Sequence, residues 1–355
     1  MKRIALIGPY PPPYGGISIF MDRLYQLIQK ELENECHIVN EFGDKNESVK
    51  YALSSNSRIM YLIKLGYFIF AHSHRYHIIY YNGPHTLTRY VLVLFAKVFG
   101  YKLIVHIHGQ SLIRASKSIW GRIMAKSVLR NSNKVLTVNS LMVKQMQDLF
   151  YREDYQYLPA HIQSGKMNVP EEVQKFLRTL NDGKTYFLSY GTLDKTDSGN
   201  YVYGIKEIFS FFSSKRVKDL GYHLIFVLIL YKDKHFVEYQ NEIASLVNQQ
   251  DNLHIFINKG GKYPLVPFFA KVNGYIRWTM EDGLGVSLIE AMENGIPAFA
   301  TNVCNRPEGT VLFSPEDENQ LLKGIQLNSF SGSKEYNFKD YSSQYIELLN
   351  STFQP

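Results

Sequence analysis

Short apolar runs alternate with longer amphipathic ones along most of this 355-residue chain. "RIALIG" at 3–8, "HIVNEF" at 37–42, "HIIYYN" at 77–82, "KLIVHIH" at 102–108 and "KVLTVN" at 134–139 have strand length and almost no polar alternation. Strands of that kind are covered on both faces. Between them lie helical patterns, from Ile17 to Lys30, then "LTRYVLVLFAKVF" and "SLMVKQMQDLF". Strands alternating with helices of this length predict βαβ units and a parallel sheet. The polar stretch "HIQSGKMNVPEEVQKF" at 161–176 breaks the rhythm and reads as a linker. The pattern then restarts with "TYFLSYG", "YHLIFVLIL", "LHIFIN", "GYIRW" and "PAFAT". The expected fold is therefore α/β, with two Rossmann-like, doubly wound parallel-sheet domains facing across a cleft. Residues 1–170 form the first and 171–335 the second, and a terminal amphipathic helix within 336–355 joins the first. Ligands of open α/β sheets bind at the carboxyl edge of the strands.

Composition narrows the class. A chain 45% hydrophobic and 20% charged is ordinary for a globular protein. Two cysteines, Cys36 and Cys304, are too few for a disulfide framework and suit a reducing cytosol. The opening "KRIALIG" run is too short for a signal-peptide core, and "IMYLIKLGYFIFA" and "YVLVLFAKVFG" fall short of a bilayer span. No Walker-type phosphate loop occurs. His72, His74 and His77 have spacings a metal could use, but no carboxylate or cysteine lies near them in sequence, so surface or core histidines are the better reading.

Charge is unevenly spread. Residues 1–170 carry 21 Lys+Arg against 10 Asp+Glu, a net of +11, whereas residues 171–355 carry 18 against 22, a net of −4. Residues 48–147 contain 14 Lys+Arg and no acidic side chain. Like charge over that length points to an anionic partner, and a membrane surface fits better than nucleic acid, because the basic residues lie among apolar helices rather than in a recognition motif.

The candidate chemistry lies in "WTMEDGLGVSLIEAMENGIPAFAT" at 278–301. A strand ends, a loop carries Asp282 and the run Gly283-Leu284-Gly285, and a helix begins at Val286 and Ser287. Glycines before a helix let backbone approach a ligand, and the free N–H groups of the helix favour an anion such as a diphosphate. Glu290, a turn further on, would be repelled by phosphate but can accept hydrogen bonds from the paired hydroxyls of a ribose.

This segment resembles the signature of the retaining glycosyltransferases of family 4, built on the GT-B fold, in which two acidic residues eight positions apart flank a Gly-x-Gly. Here they are Asp282, where the family usually has Glu, and Glu290. "IRWTMEDG" and "RPEGTVLF" resemble one branch of the family at Arg277, Thr279, Asp282, Gly283 and Arg306 to Gly309, with Trp278 in place of a proline. "GPYPPPYGGIS" is similar to the family's first glycine-rich loop at Gly15 and Gly16, and "VHIHG" to the strand end bearing its active-site histidine, here His108. The resemblance implies that a sugar passes from a nucleotide-sugar to a glycan or polyprenyl-linked acceptor, with retention and without a metal or other cofactor. It implies Glu290 on the ribose, and Asp282 and His108 on the transferred sugar. It further implies surface polysaccharide assembly in a bacterium, at the inner face of the plasma membrane. One departure favours a degenerate, binding-only member. After the strand ending in Gly191, Thr192 stands where the family has a diphosphate-binding arginine and Tyr203 where it has a lysine. Lys195, Lys206 and Arg277 are the candidates to replace that charge.

Overall fold

The computed structural model describes residues 2–354 except 44–46, 56, 110, 139, 151–154, 164–168, 232, 246–249, 283–284 and 329–339. The chain forms two units, Met1–Gln163 with Asp340–Pro355, and Ser164–Lys339. Each holds one all-parallel sheet.

In the first unit the strands are β1 (Arg3–Gly8), β2 (Glu35–Asn40), β3 (Val49–Ala52), β4 (Ile78–Tyr81), β5 (Lys102–Ile107), β6 (Lys134–Thr137) and β7 (Tyr155–Tyr157). Their order is β3-β2-β1-β4-β5-β6-β7, so the winding reverses between β1 and β4. Up to residue 163 the described helices of eight or more residues are α1 (Gly16–Glu31), α2 (Arg58–His72), α3 (Thr86–Phe99), α4 (Ile119–Asn131) and α5 (Ser140–Phe150). Alternation of side chains along a strand explains the layers. Ala5 and Ile7 of β1 face a core built with α2, α3, α4 and α5, while Ile4 and Leu6 face one built with α1.

The second unit has β8 (Thr185–Thr192), β9 (Tyr222–Leu230), β10 (Leu253–Lys259), β11 (Gly274–Arg277), β12 (Ala298–Thr301) and β13 (Val311–Phe313), ordered β10-β9-β8-β11-β12-β13. The reversal falls between β8 and β11. Its longer helices are α6 (Glu171–Arg178), α7 (Ile205–Ser213), α8 (Val286–Glu293) and α9 (Glu318–Asn328). The "YHLIFVLIL" run of β9 is apolar from Leu224 onward because both faces are covered. Leu224, Phe226 and Leu228 pack with α7 and α9, and Ile225 and Val227 pack with α6 and α8.

The stretch read as a linker is in part helical, since α6 takes up its second half; positions 164–168 of that stretch lie outside the described residues. The last helix, α10 (Ser342–Phe353), returns to the first unit. Its Tyr345 hydroxyl donates to the carbonyl of Pro159 at 2.8 Å, and its Leu348 and Leu349 join the α1 side of the core. No helix among the described residues is long and apolar enough to cross a membrane.

Candidate functional site

In the second unit, the chemistry gathers where the winding reverses, at the carboxyl ends of β8 and β11. Arg277 ends β11, and its guanidinium holds Asp282 with two bonds, Nε to Oδ2 at 2.5 Å and Nη2 to Oδ1 at 2.7 Å. Its remaining arm, Nη1, donates to the Tyr190 hydroxyl at 2.7 Å and to Ser287 Oγ at 3.2 Å. The flat cation also lies over two aromatic rings, 5.3 Å from the centre of Tyr190 and 5.5 Å from that of Tyr203. Such stacking is a favourable cation–π arrangement.

Arg306, from the loop after β12, reaches the same carboxylate oxygen, Oδ2 of Asp282, through Nη1. Its Nη2 donates to Thr279 Oγ1 at 2.8 Å and its Nε to the Thr301 carbonyl at 2.9 Å. The Arg306 side chain is 1% exposed. Two buried arginines thus share one aspartate, leaving one positive charge in excess. Although burial alone would raise the Asp282 pKa, Arg277 and Arg306 hold it well below the ordinary carboxylate range. Arg277 is likewise held charged, as Asp282 outweighs the cost of its burial.

The helix start beside this group depends on one glycine. Gly285, which caps α8, has φ +76°, a left-handed conformation that side chains disfavour. A Cβ there would lie 3.0 Å from Leu288 and 3.2 Å from Arg277 Nε. Gly283 and Leu284 lie outside the described residues. Val286 is part-exposed in the first turn. The Ser287 hydroxyl turns inward instead, accepting from Tyr275 Oη at 2.7 Å. Glu290 is 1% exposed, so this glutamate does not sit on the solvent face of its helix.

Asp282 Oδ2 accepts from Arg277, Arg306 and Thr279, and Oδ1 from Arg277. As folded, it is the shared counter-ion of two arginines. Lys195 and Lys206 belong to a second cluster. Lys195 Nζ lies 2.6 Å from Glu238 and Lys206 Nζ 4.0 Å from Glu242, both over the ring of Tyr201. Both lysines, like Arg277, have acidic partners, and of the three it is Arg277 that also bonds Ser287 in the first turn of α8. Gly191 makes room for Tyr203, whose Cβ would stand 2.6 Å from a Cβ at 191. Thr192 donates to Asp194 Oδ2 at 2.8 Å. The Tyr203 ring in turn supports the Arg277 guanidinium delivered by β11. Arg306 was visible only as part of "RPEG"; Tyr190 and Tyr275 carried no signal in sequence.

In the first unit the reversal lies between β1 and β4. His108, one residue past β5, bonds through Nε2 to Asn82 Oδ1, just past β4. Because an amide oxygen only accepts, this places the proton on Nε2. Burial first, then His106 and Arg89, push the His108 pKa well below its ordinary value, so the ring is neutral. Gly15 and Gly16 are exposed at the start of α1, where Ser18 Oγ accepts from the Gly15 N–H at 2.8 Å and donates to the Pro13 carbonyl at 2.6 Å.

A neighbouring buried group was not anticipated. Glu41, just past β2, accepts from Tyr61 at 2.5 Å and from Tyr81 at 3.0 Å. Burial raises its pKa to about 6 against the pull of those hydroxyls and of Arg89. His72, at the end of α2, packs its ring 4.5 Å from that of Tyr51. Among the described residues no three His, Cys, Asp or Glu side chains are grouped to hold a metal ion.

No family model and no curated protein sequence matches the chain. Solved structures do match. Sucrose-phosphate synthase of Thermosynechococcus elongatus is similar at a TM-score of 0.69 and 16% identity, over 99% of this chain and 95% of that one. HepE of Anabaena, in complex with UDP-glucose, gives 0.68 and 13%, over 99% and 100%. WaaG, a glycosyltransferase involved in lipopolysaccharide biosynthesis, gives 0.65 and 14%, over 98% and 99%. At these identities the likeness establishes the fold, two parallel-sheet α/β domains of GT-B type.

Proposed function

We propose that the protein is a nucleotide-sugar-dependent glycosyltransferase. The observation that carries this reading is the Arg277–Asp282–Arg306 group set against the Gly285 start of α8, at the point where the second sheet reverses its winding. A helix N-terminus with a surplus cation beside it suits a leaving diphosphate. In the reaction, the bond from the anomeric carbon to the diphosphate breaks and the diphosphate leaves with the electron pair. The acceptor hydroxyl forms the new bond and gives up its proton to an oxygen of the departing diphosphate. Glu290 binds the ribose, and neutral His108 offers a hydrogen-bonding nitrogen to the sugar. Retention, independence of metal, a glycan or polyprenyl-linked acceptor and a place in surface polysaccharide assembly at the inner membrane face complete the proposal.

UDP, GDP and ADP should be titrated against the melting temperature, since a ligand bound only by the folded state stabilises it by about 2.7 kcal/mol at a hundredfold excess over Kd. No shift with any of them would remove the donor site. A panel of nucleotide-sugars assayed for hydrolysis and transfer then identifies the donor.

A second reading, a binding-only relative, is favoured by Thr192 and Tyr203 at the two expected cation positions and by the nearby carboxylate of Asp194. Nucleotide binding without turnover on any donor would select it.

A further inference from the structure

One face of the first unit is apolar where water should be. Along α2, Ile59, Ile63, Tyr67 and Phe70 follow each other at steps of four, four and three residues, and all are exposed, Tyr67 to 66%. That spacing draws one stripe down the helix. The buried residues of α2, Leu65, Phe68 and Ile69, lie on its other side, so the stripe is not a misread core. On the same side of the sheet α3 exposes Val98, and α4 exposes Trp120 to 77%. The helices are joined, since the Phe70 ring packs 5.1 Å from Phe95 of α3. Single exposed apolar residues are ordinary, but a contiguous group on adjoining helices marks a binding surface.

Charge identifies the occupant. Helices α2, α3 and α4 lie wholly within residues 48–147, which hold 14 Lys+Arg and no acidic residue. Arg58, Lys97 and Arg122 are exposed among the apolar side chains. A second copy of this face would set like charge against like, which opposes self-association. We infer that the α2–α3–α4 face docks on an anionic lipid surface, with the α2 stripe and Trp120 entering the acyl boundary and the basic side chains reaching the headgroups. Amphipathic helices lie in membrane interfaces by this division of labour. The inference rests on the proposed inner-membrane location and assigns it to a surface of the first unit that shares no residue with the proposed donor site.

Tryptophan fluorescence gives a direct test, because the protein has two tryptophans and the other, Trp278, is buried in the second unit. The full chain would be added to phosphatidylcholine vesicles and to equimolar phosphatidylcholine–phosphatidylglycerol vesicles, with binding also read by sedimentation. Binding and a blue shift are expected only with phosphatidylglycerol, and should weaken at high salt. Replacing Arg58, Lys97 and Arg122 together with glutamine should weaken binding tenfold or more. The variant Ile59→Ser, Ile63→Ser, Tyr67→Ser should do the same while keeping the melting temperature, as these side chains leave the core intact. Absence of binding and shift at low salt, in protein that still binds UDP, would overturn the docking surface and leave the transferase reading standing. A dimer abolished by the serine variant, without lipid binding, would overturn it too and make this face a self-interface.

Discussion

Arg277 and Arg306 close on Asp282 from two different strand ends, β11 and the loop after β12, so one carboxylate ties its own loop to both. The segment from Trp278 to Asp282 is thus held by charge at its end as well as by packing at its start, where Trp278 lies buried 5.0 Å from the Phe313 ring.

Replacing Asp282 with asparagine should leave two buried guanidiniums facing each other without a counter-ion. Breaking a buried ion pair by removing one partner costs about 3–5 kcal/mol. Urea unfolding should register a loss of that order in the second unit. The sign with pH follows from the depressed carboxyl. Its stabilisation is complete above the ordinary value of 3.8 and is lost as pH falls below it. The asparagine variant should lack that acid limb, and a midpoint unchanged from the parent would show that the cluster adds nothing.

Gly285→Ala tests the helix start. The left-handed φ and the 3.0 and 3.2 Å approaches demand a shift of backbone or of Arg277. A loss of about 1–3 kcal/mol is expected from the strain, with weaker UDP binding by calorimetry. Full stability together with full affinity would mean that the loop accommodates a side chain freely.

Glu290→Gln should weaken nucleotide affinity several-fold or more, because hydrogen bonds to a charged group are worth about 1.5–3 kcal/mol and an amide accepts a weaker one. Titration with UDP and with the ribose-lacking phosphate, pyrophosphate, separates the ends of the ligand. If pyrophosphate loses as much affinity as UDP, the carboxylate is not on the ribose.

Glu41 should make the first unit less stable as pH rises. Its folded pKa of about 6 lies above the ordinary 4.5, so the folded state binds the extra proton between those values. Stability falls by about 2 kcal/mol across that window and then levels. Glu41→Gln should flatten the curve, read as the denaturation midpoint from pH 4.5 to 7; an equally sloped variant would assign the dependence elsewhere.

Most central strands are legible because burial on both faces leaves unbroken apolar runs, as in β4, β5 and β9. The strands that pattern alone misses, β3, β7 and β13, are edges of three or four residues, too short for a period and half covered. The apolar α2 segment suggests membrane insertion in sequence, but which of its residues face away from the sheet is visible only in the fold, since hydropathy cannot tell which side of a helix meets the sheet. Within the site, the position of Glu290 and the glycine cap could be read from spacing. The occupation of Asp282 could not, because Arg306 arrives from beyond the next strand. Glu41 likewise sits at the end of a strand pattern, and only the fold brings Tyr61 and Tyr81 around it.

The return of α10 to the first unit gives the order of completion on the ribosome. Domains ordinarily finish in the sequence in which they emerge. Here residues 340–355 follow the second unit in the chain, yet Tyr345, Leu348 and Leu349 close the side of the first unit lined by Phe20, Met21 and Leu24 of α1. That apolar side must wait, uncovered, through synthesis of the whole second unit. The first unit is therefore completed only after the second has emerged, and a nascent chain stalled before residue 340 exposes a surface for chaperones to hold.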